Sequence, residues 1–181
     1  MRSGIEERSF DVEEDLASLE LQRALTLATV EGLEAAGVLD RLERVASSGR
    51  GVIPMIDSRE QFLFTMLLPH LGEQRNLAKA LKGRMHLARE AGDWEAYTES
   101  FEYMLAIGRL TGEQGVLIQR LVGIAIRALA MGTVTQDISA GRVAPESLDG
   151  IREAFERQVT MSPMEYALRA ELMMQLDAVQ W

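Results

Sequence analysis

The residues that could do chemistry are few in kind. The 181-residue chain has two histidines, no cysteine and 28 carboxylates. The missing thiols exclude a disulfide scaffold, thiolate zinc, iron–sulfur clusters and a cysteine nucleophile. The histidines are His70 and His86, and neither lies in a His-Glu-x-x-His or Glu-x-x-His pattern. A ferritin-like diiron site therefore lacks its ligand spacing. His86 and Glu90 are four apart, on one helical face, and could share a metal; an ordinary partly exposed histidine beside a carboxylate is the favoured reading. No Gly-x-Ser-x-Gly, Walker loop or Gly-x-Gly-x-x-Gly occurs. Gly49-Arg50-Gly51 could cradle an anion as a backbone nest, but reads better as a flexible loop. No carboxylate pair is singled out for acid–base work, and no catalytic residue, metal or cofactor is expected.

One charge pattern stands out. Arg75, Lys79, Lys82, His86 and Arg89 are spaced four, three, four and three, so they form one stripe on a helix. Such a stripe could hold an acidic partner or phosphate. The favoured reading is that it meets carboxylates of the same molecule. Candidates are the Glu95–Glu99–Glu102 face, or the cluster Glu6, Glu7, Asp11, Glu13, Glu14 and Asp15. The net charge of −9 argues against binding through the overall field to phosphate backbones or anionic lipid. No helix-turn-helix or aromatic-interleaved basic strand supports a nucleic-acid role.

The elements that must position these residues are helical. The chain is 47% hydrophobic and 26% charged, with four prolines, so it can bury a substantial core and is not mainly disordered. Leucine, alanine, glutamate, arginine and methionine dominate, which is helix-forming composition. Seven or eight helices and no confident strand are expected. A capping pair, Asp11 with Glu14, opens the first, and Val38, Leu39, Leu42 and Val45 mark a shorter second. Ser47 to Gly51, with Pro54, is the clearest loop and a candidate hinge. Ser58 with Gln61 opens an apolar run that Pro69 ends or kinks. A long helix then covers His70 to Ala91, Gly92-Asp93 turns the chain, and Trp94 starts a helix to about Leu110. Thr111 with Gln114 caps the next, to about Met131. Residues 132–144 read as a loop, Pro145 starts a helix to about Val159, and Ser162, Pro163 and Glu165 open the last.

Residues 115–134 have roughly the length of a membrane span. Arg120 and Arg127 inside them would each cost roughly 2.5–3.5 kcal/mol near a bilayer centre. The segment reads instead as a central helix buried on most sides, its two arginines turned outward or paired with carboxylates. No secretory signal is read, and the expected location is the cytoplasm, with the natural N-terminus left open. The final helix carries Leu168, Leu172, Met173, Leu176 and Trp181 over more than one face. That surplus points to docking against another chain, or to a natural chain that continues beyond Trp181; a terminal helix that only seals the core is an equally weighted reading.

The segment Gly92-Asp93-Trp94-Glu95 with Phe101 and Leu105 resembles the turn and second helix of a tetratricopeptide repeat. It departs from that pattern at Tyr97 and Met104, where the family has small alanines, at Met85 for a glycine and at Arg109 for the closing proline. No second repeat follows in register: Ile126 stands 34 residues after Gly92. The resemblance covers one hairpin, about residues 77–110. More loosely, Pro69, Arg75, Asn76 and Leu77, a helical hairpin and the apolar helix from Leu117 to Ala130 are similar to a group of uncharacterised bacterial helical proteins. The ratio of 17 arginines to two lysines agrees with a bacterial, GC-rich source.

The expectation is therefore an all-α fold, an antiparallel array of helical hairpins with tetratricopeptide-like packing. Residues 1–47 form an N-terminal helical segment, 48–57 a loop and 58–181 a hairpin domain, or one continuous domain that includes 10–47. The expected function is a non-catalytic protein-interaction or assembly module whose partner is a protein or a second copy, because stacked hairpins offer an extended face to peptides or helices. The alternative is a carrier or sensor of a small apolar ligand, with a cavity lined by Phe62, Phe64, Met66 and Met104.

Overall fold

A computed structural model describes residues 12–48, 63–113, 116–160 and 163–179. Among them are seven α-helices and no strand, so the chain is all-α. They are α1 (Val12–Ala35), α2 (Val38–Ser48), α3 (Leu63–Ala91), α4 (Trp94–Glu113), α5 (Leu117–Ser139), α6 (Leu148–Gln158) and α7 (Met164–Val179), with a 3₁₀ turn at Pro145–Ser147 before α6.

The tightest reversal lies between α3 and α4. Gly92 has φ +73°, a left-handed conformation that glycine adopts at no steric cost. The Asp93 N–H donates to the Ala88 carbonyl, and the Asp93 carboxylate accepts from the Ala96 N–H at 3.0 Å, capping α4. The helices then run antiparallel. Arg84 reaches Ser100 at 2.9 Å midway, and Thr111 Oγ1 donates to Gln74 Oε1 at 3.0 Å at the far end. α5 reverses direction again: its late residue Asp137 meets Tyr97 early in α4, while its early residue Arg120 meets Gly112 late in α4.

The centre of the molecule is α4, not the 115–131 segment. Residues Tyr103 to Arg109 are all buried, which on a 3.6-residue period means burial on every side. α3, α5, α6 and α2 pack around it. Leu81 and Met85 of α3, Phe101, Met104 and Leu105 of α4, Ile126 and Ala130 of α5, Ile151 and Ala154 of α6 and Leu42 of α2 share one core. Close approach of α4 and α5 depends on glycine. A Cβ on Gly123 would lie 2.7 Å from Gly112 N and 2.9 Å from its Cα.

Element boundaries differ from expectation where tertiary burial outweighs local signals. α3 runs through Pro69 without a break. Its later residues Ala78, Leu81, Met85 and Ala88 are buried, and their packing offsets the roughly 3 kcal/mol an interior proline costs. Thr111 is not a cap: it lies inside α4 and its hydroxyl returns to the Ile107 carbonyl at 2.8 Å. Residues 132–139 are helix rather than loop, because Thr133, Val134 and Asp137 face the core. The Ser58–Gln61 cap, the Gly49–Gly51 loop and Phe62 lie outside the described residues.

Candidate interaction surface

The basic stripe is divided by the fold. Arg75 and Lys79 are exposed, and Lys82 and His86 are half-buried. Arg89 is not a free member. Its guanidinium donates to the carboxylate of Asp137, which is 1% exposed. Asp137 also accepts from the Tyr97 hydroxyl at 3.0 Å and lies 3.6 Å from Arg142 Nη1. Burial, then the charge and hydrogen bond of Asp137, drives the Tyr97 phenol far above its ordinary pKa. His86 sits at the edge of this group. Burial, then the Arg89 and Lys82 charges, holds its pKa below the ordinary histidine value, against upward pulls from Asp137 and Glu90.

Two of the carboxylates expected to meet the stripe, Glu99 and Glu102, are used elsewhere. Glu99 accepts from Arg84 at 3.2 Å. Glu102 accepts from Arg157 at 2.7 Å and from Gln158 at 3.2 Å; the Arg157 hydrogen bond outweighs the opposing effect of burial and lowers its pKa. Glu90 accepts from Arg23 at 3.2 Å, so the His86–Glu90 pair is already engaged. The side chains from Glu6 to Asp15 lie outside the described residues. Among the described residues no group of three or more His, Asp or Glu side chains could hold a metal ion.

A second polar group forms where α4 crosses α5. Arg109 and Arg120 are buried, with Arg127 half-buried beside them. Arg109 Nε donates to Gln158 Oε1 at 3.1 Å, and its Nη1 lies 3.5 Å from Glu113. Arg120 Nη1 donates to the Gly112 carbonyl at 3.3 Å, and Arg127 Nη2 to the Val159 carbonyl at 3.0 Å. Burial, then the charges of Arg120 and Arg109, lowers the Arg127 pKa. Of the two placements expected for Arg120 and Arg127, outward or paired with carboxylates, the outward one is corrected. They occupy one face, but that face turns toward α4 and α6, where backbone carbonyls accept from their guanidiniums.

This inversion leaves α5 with an unusual outer surface. Its charged residues are Arg120, Arg127 and Asp137, and none is on the exposed face. The exposed positions are Ile118, Leu121, Ile124, Ala125, Ala128 and Met131, then Gly132, Thr135, Gln136, Ile138 and Ser139, so the face is apolar at first and more polar toward its end. By length and composition α5 could cross a membrane, and 39% of its most apolar stretch is buried within the protein.

α7 adjoins α5, and its Glu171 carboxylate accepts from the Leu117 N–H at 3.2 Å, capping the start of α5. Ala167 is the buried side of α7. Leu168, Leu172 and Leu176 recur every fourth residue on the opposite side, about half exposed, with Met173 beside them. Of the two sequence readings for this helix, its described residues fit a half-covered helix better than a core seal. Trp181 lies outside the described residues.

Of the residues expected to line an apolar cavity, Met104 is fully buried in the core. The side chains of Phe64 and Met66 lie outside the described residues. A groove of about 310 Å³ exists elsewhere, between α1 and α3, lined by Glu20, Arg23, Ala24, Leu27 and Leu87.

Sequence reasoning found the outer face of α7 but not that of α5. Arg120 and Arg127, seven apart, were legible as sharing a face; which side that face took was not. In comparisons with known proteins the chain matches no family model, no curated protein and no solved structure.

Proposed function

We propose that this protein is a non-catalytic interaction module that works through the outer faces of α5 and α7, with its helical hairpins packed in a tetratricopeptide-like manner. One observation carries the reading. A 23-residue helix buries two of its three charged side chains, Arg120 and Asp137, half-buries the third, Arg127, and presents an uncharged, largely apolar surface outward. Burying arginines while exposing isoleucine and leucine is costly for an isolated soluble chain. The arrangement is stabilising when another surface covers the apolar side.

Other exposed apolar residues are distributed differently. Leu19, Leu21, Leu25 and Leu27 of α1 are exposed, but Glu20, Arg23 and Glu31 are interspersed among them. Such mixed surfaces are ordinary.

The test is site-specific photo-crosslinking in the source cell. A photoreactive residue replacing Leu121 or Leu172 should give discrete protein adducts. The same residue replacing Arg152, an exposed position on α6, should give none. Equal adduct patterns at all three positions would sink the reading.

A further inference from the structure

We infer that the occupant of the α5–α7 surface is a second copy of this chain, related by a two-fold axis that brings the two α5 helices together. This rests on the interaction-module reading and names its partner.

The charge pattern favours self-association over a foreign partner. In a two-fold interface one patch must fit itself, so a charge near the axis meets its own like charge. An uncharged patch avoids that penalty. The chain as a whole carries −9, so two copies repel at most approaches. The outer face of α5 carries no charge from Ile118 to Ser139, so approach there costs least. On the α7 part of the surface the exposed Glu165 and Arg169 pair with each other at 2.6 Å, so they add no net charge to the patch.

The surface is also large enough. Among the described residues, eleven bulky apolar side chains on α5 and α7 are each 36–66% exposed. They cover more than one side of α7, so the part on the α5 side is smaller than the total of about 1,000 Å² and is on the order of the roughly 800 Å² per partner in a standard stable interface. Shape agrees with this. Ala125, Ala128 and Gly132 make a low track along α5, and a Cβ at Gly132 would meet nothing within 4 Å. Ile124 and Met131 stand along one edge of that track and can seat beside the track of the copy.

The absence of cysteine makes the test clean. Ala125→Cys, Ala128→Cys and Gly132→Cys are made singly, with Arg152→Cys as control, and each is oxidised. Mass is measured by light scattering behind size exclusion from about 1 to 200 µM, a span set by the nanomolar-to-micromolar affinities of standard-size interfaces. The expected result is a species of twice the chain mass, a disulfide dimer from at least one α5 variant and none from Arg152→Cys. Leu121→Glu with Leu172→Glu should give a monomer of unchanged helicity.

A wild-type monomer throughout overturns the two-fold interface. Three further results then separate it from the broader reading. If the Ala128→Cys thiol reacts slowly, the chain's own residues cover the face and both readings fail. If it reacts fast and the protein floats with phosphatidylglycerol vesicles, a lipid surface is the occupant and both fail. If it reacts fast and does not float, the two-fold interface fails alone.

Discussion

Asp137 shows how much of this fold depends on single buried charges. It joins three elements: Arg89 from α3, Tyr97 from α4 and Arg142 from the segment after α5. Removing its carboxylate leaves a partly buried guanidinium and a buried phenol without an acceptor. Asp137→Ala should therefore cost about 3 kcal/mol in urea unfolding, and Tyr97→Phe about 1 kcal/mol. Equal effects would contradict the shared-acceptor geometry. His86 supplies a pH dependence of definite sign. Its folded pKa is below the unfolded value near 6.5, so the unfolded chain takes up the proton first as pH falls. Stability is complete above pH 6.5 and declines as pH drops through the folded value. Glu102, also lowered, adds a second decline below the ordinary carboxylate range. Wild type should lose stability as pH falls below about 6.5, and His86→Gln should lose less. Identical losses would remove His86 from the account.

At the scale of elements, glycine positions decide packing, and they separate into two kinds. Gly123 is pressed against Gly108 and Gly112. Gly123→Ala must push α5 off α4 and should destabilise by about 1–3 kcal/mol. Gly32 and Gly72 lie within helices, and a methyl added at either would meet nothing within 4 Å. Each should gain about 0.5–1 kcal/mol on change to alanine, because alanine loses less backbone freedom. Thermal melts of the three variants check both signs. The same contrast explains what the sequence could disclose. Helical composition and the Gly92-Asp93 turn depend on neighbouring residues, and both are found in place. The continuation of α3 through Pro69, and of α5 through Thr133 and Val134, depends on burial against distant residues. No local pattern encodes that burial. The stripe was legible as a spacing; the pairing of Arg89 to Asp137, 48 positions away, was not.

At the scale of the molecule, α5 is amphipathic with its charged side inward. Periodicity states which residues share a face and leaves open which face turns to the core. The choice was set here by the Gly112 carbonyl of α4, which accepts from Arg120, and by the Val159 carbonyl at the end of α6, which accepts from Arg127. The consequence is an uncharged outer surface that continues toward the leucines of α7, and covering that surface is the central claim. The measurement that tests it most directly is the mass of the untagged protein in solution, followed by light scattering over a hundredfold dilution. The expected result is twice the chain mass, falling to the chain mass in Leu121→Glu with Leu172→Glu while the circular-dichroism spectrum stays helical. A wild-type protein that remains at the chain mass at every concentration would contradict it.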